Sequence, residues 1–151
     1  MKTIKKNHYI DTTIYKADIL VRALKTELKA KVDELEIGIT SEQFVVLDTI
    51  CALNNVYPQK LSKILMKDKS NTTRIIKILE SKKLIKKEAG NENNRLIYVL
   101  KATEKGEKLI SDNMPKIKGF ITEIFENITD KEIDNLHTLA DKLKKDLFNN
   151  I

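Results

Sequence analysis

Residues 69–79 combine cations and hydrogen-bonding side chains with a narrow apolar stripe. The spacing of Ile75, Ile76 and Leu79 lets them share one face of a helix. The side chains that point mostly away from that face are Lys69, Asn71, Thr73, Arg74 and Lys77. Such groups on an exposed helix can pair with phosphates and with base edges in a DNA major groove. An ordinary solvated helix face has the same composition, so the flanking segments must decide between the two interpretations.

A short helix is predicted immediately upstream. Pro58 suits the first turn of a helix, because a backbone N–H at that position would lack a helical partner in any case. The apolar residues within 61–65 fall on one face and predict about two turns. Asp68 or Ser70 can then cap the next helix by accepting a hydrogen bond from a free backbone N–H.

Two strand-like runs follow the helices. Leu84–Glu88 and Arg95–Lys101 are separated by Gly90–Asn94, whose sequence GNENN tolerates positive φ and favours a turn. The second run alternates its side chains in the manner of a pleated strand. Helix, turn, helix and hairpin in this order predict a winged helix-turn-helix.

The positive charge is concentrated in the same segment. Residues 58–101 carry 12 Lys and Arg against 4 Asp and Glu, whereas the rest of the chain carries 16 against 18. The whole chain has a net charge of +6, so its excess of positive charge lies entirely within this segment. A localised basic surface favours a nucleic-acid partner over a merely solvated helix face.

Four segments carry a resemblance to a known family. They are GITSEQFVVLDTI (Gly38–Ile50), LSKIL (Leu61–Leu65), SNTTRIIKILESKKLIKK (Ser70–Lys87) and RLIYVLKATEKGEKL (Arg95–Leu109). In this order and spacing they resemble the MarR family of bacterial transcriptional regulators over almost the whole chain. The resemblance implies a homodimer on a pseudo-palindromic operator, with a recognition helix in the major groove and a wing arginine in the minor groove.

Matching positions to this family assigns the recognition-helix contacts to Ser70–Arg74 and the wing contact to Arg95. We expect the exposed lysines to neutralise phosphates and to supply salt-dependent affinity. The predicted DNA-binding set is Lys60, Lys63, Lys69, Ser70, Asn71, Thr72, Thr73, Arg74, Lys77, Lys86, Asn94 and Arg95. Lys82 and Lys87 are further candidates for phosphate contacts.

Two positions depart from the family pattern. Lys83 stands where the family usually ends its recognition helix with glycine, and a non-glycine residue in a left-handed conformation costs roughly 1 kcal/mol. Asn93 and Asn94 precede a single Arg95, whereas family wings typically place an aspartate before paired basic residues.

We expect a single domain over residues 1–151, mainly α with a small β-wing. Residues 39–101 are predicted to form the winged helix-turn-helix DNA-binding lobe, and residues 7–36 and 103–151 the dimerisation helices. Apolar residues recur at steps of three and four from Ile10 to Leu35, more than a small winged core can cover. The expected architecture is a winged helix-turn-helix domain plus a helical dimerisation region built from both termini.

Several residues mark the expected helix boundaries. Gly38 is expected to end the first helix, and Thr40–Gln43 and Thr129–Glu132 are typical capping boxes that begin the helices after them. Thr103 is expected to begin another helix. Pro115 falls within that helix and is expected to bend or interrupt it, because proline cannot donate to the preceding turn.

The composition predicts a mostly helical globular protein, since 41% of the residues are hydrophobic, 33% are charged, and only four are glycine and two proline. No apolar run approaches the length of a membrane span, and the basic start MKTIKKNHYI is not followed by a signal-peptide core. We therefore expect a cytoplasmic protein. A single cysteine excludes an internal disulfide framework.

Catalysis and metal binding have little support in the sequence. His8 and His137 lie near opposite ends of the chain, and the one cysteine is near neither of them. Metal sites need clustered ligands, and no glycine-rich phosphate loop is present. We predict a non-enzyme with no metal site and no cofactor.

Two effector hypotheses come from the resemblance. Some family members sense oxidants through a cysteine, which makes Cys51 a redox candidate, although a thiol on the apolar side of a helix is more often inert packing. Other members bind small phenolic or aromatic acids between the dimer base and the winged domain. Tyr15, Arg22 and Phe44 are the candidates to line such a crevice, and the alternative for them is core packing and a solvated arginine.

These observations predict a homodimeric, sequence-specific DNA-binding transcriptional regulator, a repressor relieved by a small aromatic ligand. The alternatives are a redox-responsive regulator that uses Cys51, a winged-helix protein-interaction module, and an RNA-binding winged domain. The expected partners are double-stranded DNA with a pseudo-palindromic operator, a second copy of the chain, and a small aromatic or phenolic effector. No membrane partner is expected.

Overall fold

The computed structural model describes residues 8–148 and has six α-helices and one two-stranded sheet within them. In chain order the elements are a short 3-10 helix (Tyr9–Asp11), α1 (Thr13–Glu34), α2 (Ser41–Leu53), α3 (Pro58–Ile64), α4 (Lys69–Ser81), β1 (Ile85–Glu92), β2 (Arg95–Ala102), α5 (Glu104–Ile124) and α6 (Asp130–Phe148). The predicted fold class, mainly α with a β-wing, is confirmed. The expected boundaries at Asn7 and Ile151 lie outside the described residues.

The described residues divide into two compact units, 8–117 and 118–148. The first holds the helix-turn-helix, the wing, α1 and the first part of α5. Its core takes fully buried side chains from α2, α3, α4 and β2, namely Leu47, Ile50, Leu61, Leu79 and Leu100. Burying one such side chain contributes roughly 1.5–3 kcal/mol, so this core holds α4 against the rest of the unit.

α3 and α4 form the predicted helix-turn-helix. Pro58 is the first residue of α3, as expected. Asp68 rather than Ser70 caps α4, because its Oδ1 accepts a hydrogen bond from the backbone N–H of Asn71 at 2.7 Å. Between the helices Met66 adopts a φ of 52°, which turns the chain.

α4 ends in a left-handed residue that is not glycine. Lys83 has a φ of 58° and donates from its N–H to the carbonyl of Glu80, while the N–H of Leu84 donates to the carbonyl of Leu79. These two bonds form a Schellman motif and satisfy carbonyls at the helix end. The hydroxyl of Thr103 donates to the carbonyl of Lys83 at 2.7 Å, which ties this end to the start of α5.

The wing is longer than the sequence predicts. β1 and β2 pair antiparallel from Ile85 with Ala102 to Glu92 with Arg95, so the strand continues through the region expected to be a turn. Only Asn93 and Asn94 lie between the strands, with φ of 51° and 62°. Two adjacent residues with positive φ are what a tight hairpin turn requires, so this pair makes a longer loop unnecessary.

α1 begins and ends differently from the prediction. It begins at Thr13, because the side chain of Thr12 accepts from the backbone N–H of Tyr15 and caps the helix there. It ends at Glu34, and Glu36 has a φ of 50°. The prediction that Gly38 ends this helix is therefore wrong. Gly38, with a φ of 79°, instead lies in the connection to α2.

Both predicted capping boxes are present. At the start of α2, the Gln43 N–H donates to the Thr40 hydroxyl oxygen and the Thr40 N–H donates to the Gln43 side chain, each at 3.2 Å. Before α6, the Glu132 N–H donates to the Thr129 hydroxyl oxygen, and the Thr129 N–H donates to Glu132 Oε2 at 2.9 Å. These reciprocal bonds fix where α2 and α6 begin.

α5 packs closely on the wing and then continues past its proline. The hydroxyl oxygen of Thr103 accepts from the N–H of Gly106, and a Cβ at Gly106 would lie 2.1 Å from the carbonyl oxygen of Leu84. Only glycine fits at this approach. The helix runs without a break through Pro115, so the expected interruption does not occur.

The second unit contains the end of α5 and the whole of α6. None of the described α6 residues is buried, although Leu136, Leu139, Leu143 and Leu147 recur along it at helical spacing. Across residues 8–148, no helix has both the length and the apolar character needed to cross a membrane.

Candidate nucleic-acid interface

α4 separates its buried and exposed faces in the way that the sequence predicts. Ile75, Ile76 and Leu79 are buried in the core. The exposed side chains are Lys69, Ser70, Thr73, Arg74 and Lys77. The exposed face therefore combines three cations with two hydroxyl groups on one rigid helix, a set that can contact both phosphates and base edges.

Thr72 does not lie on that face. Its side chain is only 1% exposed, and its hydroxyl donates to the backbone carbonyl of Asp68 at 2.9 Å. The sequence prediction that Thr72 reads bases is therefore corrected. Thr72 is four residues before Ile76 and lies on the apolar stripe, where a threonine is accommodated by bonding back to its own helix.

Asn71 is half-buried and already hydrogen-bonded. Its Nδ2 donates to Oε1 of Glu42 at 3.1 Å, and its Oδ1 accepts from Nη2 of Arg74 at 2.9 Å. Glu42 Oε1 also accepts from Nζ of Lys67. The pKa of Glu42 is lowered, chiefly by the bond from Lys67, so its carboxylate is ionised at neutral pH.

Glu42 and Lys67 were not among the predicted site residues. Glu42 lies in the first turn of α2, and Lys67 lies between α3 and α4, 25 residues later. The sequence contains a local signal for the capping box beside Glu42 but none for this long-range contact.

The predicted lysines on α3 are accessible, since both Lys60 and Lys63 are exposed. A small cavity of about 90 Å³ lies between α3 and α4, lined by Pro58, Gln59, Ser62, Lys69, Thr72 and Thr73. Lys69 lines this cavity, and Lys60 and Lys63 are exposed on α3, so all three lysines can neutralise a phosphate backbone.

Side chains near the start of β1 form ion pairs, whereas those at the tip of the wing are exposed. Glu88 lies between Lys86 and Lys101, with N–O distances of 2.9 and 2.7 Å, and these hydrogen bonds, the one from Lys101 most strongly, lower the pKa of Glu88 to about 2. Lys86 is therefore already partly neutralised. Asn94 and Arg95 are exposed at the tip, where β2 begins.

The remaining phosphate candidates differ in their pairing. Lys87 pairs with Glu80 at 3.1 Å. Lys82 is exposed at the end of α4, where its backbone carbonyl accepts from Nζ of Lys105 at 3.0 Å.

The three predicted ligand residues have separate surroundings. Phe44 is 3% exposed and belongs to the core. Arg22 is exposed and pairs with Asp18 at 2.9 Å, within one turn of α1. Tyr15 packs edge-on against Tyr9, with ring centroids 5.9 Å apart. Phe44 and Arg22 therefore have the surroundings of the alternative that the sequence left open, core packing and a solvated arginine. Tyr15 is only partly buried on α1, and the ligand role of the three residues stays a prediction.

Two larger cavities are lined by other side chains. One of about 460 Å³ lies within residues 121–137 and is lined mostly by apolar groups such as Ile121, Phe125 and Leu136. The other, about 430 Å³, is a shallow depression around the connection between α1 and α2, from Val32 to Gln43, with Lys82 at its edge. Tyr15, Arg22 and Phe44 line neither of them.

Cys51 is a half-buried free thiol. Burial, with Asp48 and Glu107 nearby, raises its pKa to about 11. The thiol is therefore protonated at neutral pH, which opposes the reactivity that a redox sensor needs. Within residues 8–148, no group of three or more His, Cys, Asp and Glu side chains could hold a metal ion.

The MarR family model matches residues 39–97, which span α2 to the start of β2. This match covers the helix-turn-helix, β1 and the tip of the wing, including all the predicted DNA-binding residues. No curated protein sequence gives a significant match.

Solved structures match nearly the full chain. A putative MarR family transcriptional regulator from Listeria monocytogenes, solved in complex with a 26mer DNA, is 27% identical, covers 92% of this chain and 91% of its own, and has a TM-score of 0.78. A MarR protein from Peptoclostridium difficile is 26% identical over 99% of this chain and 93% of its own, with a TM-score of 0.75. A MarR/EmrR family regulator from Acinetobacter sp. ADP1 is 24% identical over 90% and 94%, with a TM-score of 0.79.

Proposed function

We propose that this chain, which belongs to the MarR family of transcriptional regulators, is a homodimeric repressor that binds a specific operator in double-stranded DNA. The observation that carries the proposal is the exposed face of α4. Its cations and hydroxyl groups are presented by a helix that is capped at Asp68 and fixed by a buried stripe. The resemblance to a regulator solved with a 26mer DNA supports the same partner.

DNA recognition divides among these residues by accessibility. Arg74 and Thr73 are the proposed base readers, because both are exposed on the central turns of α4. Lys60, Lys63, Lys69 and Lys77 are the proposed phosphate contacts. Arg95 at the wing tip is proposed to enter the minor groove, where a narrow groove attracts arginine.

The homodimer is supported by exposed apolar stripes on two helices. Along α1, Ile14 is 70% exposed and Val21 46%, while Leu139 and Leu147 of α6 are 54% and 67% exposed. Stripes of this size on helices are normally covered, and a second copy of the chain is the partner that we propose. Two lobes related by a two-fold axis would then read two half-sites about one DNA turn apart, roughly 34 Å.

A small aromatic ligand is proposed to relieve repression. Arg22 and Tyr15 are accessible on α1, whereas Phe44 would have to leave the core to contact a ligand. A ligand would act if it favoured a dimer geometry that mismatches the operator half-sites.

Fluorescence anisotropy tests the proposed function. The probe is the duplex upstream of the protein's own gene, compared with a scrambled duplex of the same composition across a salt series. We expect tighter binding to the native duplex, two protomers per site, and affinity that falls as salt rises.

Equal, weak binding to both duplexes would contradict control of this promoter. Absence of salt-dependent binding to any duplex would contradict the DNA partner itself and favour the protein-interaction module. Stronger binding to structured RNA in competition would favour the RNA-binding alternative.

A further inference from the structure

A chain of hydrogen bonds connects α2 to the exposed face of α4. Glu42 Oε1 accepts from Lys67 Nζ and, at 3.1 Å, from Asn71 Nδ2. Asn71 Oδ1 then accepts from Arg74 Nη2 at 2.9 Å. The chain thus runs from a carboxylate at the start of α2, through a half-buried amide, to an exposed arginine.

The chemistry of the Asn71 amide fixes which of its ends faces Glu42 and which faces Arg74. Asparagine has a donor end and an acceptor end, and the Glu42 carboxylate can only accept. Glu42 therefore holds the Nδ2 end of Asn71, which leaves Oδ1 turned toward Arg74. Lys67 fixes the same carboxylate from the turn between α3 and α4. Without Glu42, the hydrogen bond from Arg74 would be the only one within residues 8–148 to restrain the amide of Asn71.

These hydrogen bonds orient Arg74 but leave most of its donors available for DNA. One of its five N–H donors is used by Asn71, and the side chain remains exposed. A long, flexible side chain held in place before binding loses less conformational freedom when it pairs with a base edge.

We propose that Glu42 and Asn71 are positioning residues that orient the Arg74 side chain toward a DNA base and so set sequence specificity. The inference rests on the proposed function and deepens it. It also changes the role of Asn71, which acts through Arg74 rather than by reading a base itself. The Glu42 carboxylate further adds a negative charge beside the DNA-facing surface, which disfavours sequence-independent phosphate binding.

Glu42→Ala is the direct test, with Glu80→Ala as its matched control. Glu80 also lies in the lobe and pairs with a lysine, Lys87, so both variants remove one negative charge and release one lysine. The measurement is the ratio of affinities for a duplex selected by the wild type and for a random duplex. We expect Glu42→Ala to lower this ratio roughly five- to tenfold, the worth of about one hydrogen bond. Glu80→Ala should leave the ratio unchanged.

Comparing Glu42→Ala in the presence and absence of Arg74 distinguishes a positioning role from a general structural role. In an Arg74→Ala background, Glu42→Ala should lower the ratio no further, because the side chain that it positions is absent. Asn71→Ala should reproduce the Glu42→Ala effect. Equal losses in the presence and absence of Arg74, or an unchanged ratio in both single variants, would overturn the inference.

A measurement without DNA distinguishes failure of this inference from failure of the proposed function. In NMR spectra of the free protein, the side-chain amide of Asn71 should be protected from exchange in the wild type and in Glu80→Ala, and should lose protection in Glu42→Ala. Unaltered protection in Glu42→Ala would overturn the inference alone. A wild type that shows the protected amide but selects no DNA sequence would overturn the proposed function, and the specificity role with it.

Discussion

Arg74 is the residue on which the proposed readout depends most. It combines exposure with a fixed orientation, whereas its neighbour Thr72 is buried and Asn71 is engaged on both ends of its amide. Arg74→Ala should weaken binding to the selected operator by about 1–3 kcal/mol and relax the preference for one sequence. Competition binding with operators changed at single positions checks both effects. An unaltered preference would remove Arg74 from base recognition.

Lys77 and Lys86 make a matched pair for phosphate binding. Lys86 pairs with Glu88, whereas no ion pair is found for Lys77 within residues 8–148. Lys77→Ala should weaken all DNA sequences about equally and reduce the slope of log affinity against log salt by about 1. Lys86→Ala should reduce the slope less, because its charge is already shared. A larger effect at Lys86 would mean that the wing base, rather than α4, carries the phosphate contacts.

Cys51 should behave as an unreactive thiol. Its pKa is raised to about 11 by burial and by nearby carboxylates, so the thiolate is scarce at pH 8. Alkylation by iodoacetamide should be slow at that pH, should rise toward pH 11, and should become fast when the protein is denatured. By linkage, the stability gained from the protonated thiol is present below its ordinary value of 9.0 and is lost as the pH rises through 11. Rapid alkylation at pH 7 would restore the redox-sensing alternative.

The backbone at the end of α4 is strained, and the strain can be measured. Lys83 has a φ of 58°, which glycine adopts more easily, so Lys83→Gly should raise the free energy of unfolding by up to about 1 kcal/mol. Lys82→Gly is the control, since it removes the same charge from a residue with right-handed geometry and a φ of −80°. It should lower stability by roughly 0.5–1 kcal/mol. Urea unfolding monitored by circular dichroism measures both, and a loss in Lys83→Gly would contradict the assigned strain.

The two glycines of α5 give a second comparison. A Cβ at Gly106 would meet the backbone of Leu84, whereas a Cβ at Gly119 would meet nothing within 4 Å. Gly106→Ala should therefore displace α5 from the backbone of Leu84 and destabilise the protein by about 1–3 kcal/mol. Gly119→Ala should be neutral or stabilise the helix by up to about 1 kcal/mol. Thermal unfolding distinguishes them, and equal effects would contradict the close packing at Gly106.

The elements also show what could be predicted from the sequence. The capping boxes at Thr40 and Thr129 and the proline at the start of α3 follow from local rules, and all are present. The left-handed conformation of Lys83 follows from the family resemblance, and it is present as well. The sequence predicts the position of the wing but strands that are too short, because two asparagines alone suffice for its turn. Pro115 does not interrupt α5, since a helix can continue past one missing N–H donor when its other bonds hold it.

The candidate site was harder to predict than the fold. Periodicity found the exposed face of α4 without Thr72, and the family resemblance then assigned Thr72 to base reading. The structure buries it, because Thr72 lies four residues before Ile76 on the apolar stripe. Glu42 was missed because its partners Lys67 and Asn71 lie 25 and 29 residues away. Contacts at such separations are set by the packing of α2 against the helix-turn-helix, which local sequence rules do not encode.

At the scale of the whole molecule, the proposed dimer depends on the apolar stripes of the terminal helices. Leu139→Glu places a charge on the exposed stripe of α6 and should shift the protein from dimer to monomer in sedimentation equilibrium. Thr138→Glu adds the same charge to the polar side of the same helix and should leave the dimer intact. A wild type that sediments as a monomer, or equal effects of both changes, would contradict the assigned interface.

In the proposed function, two symmetry-related α4 helices recognise a specific DNA sequence. Selection of duplexes from a random library by the wild-type protein tests it most directly, because no operator has to be assumed. We predict an enriched inverted repeat with half-sites about 10 base pairs apart, centre to centre, and loss of that enrichment in Arg74→Ala. Recovery of duplexes with no shared motif, at an affinity set by salt alone, would contradict the claim.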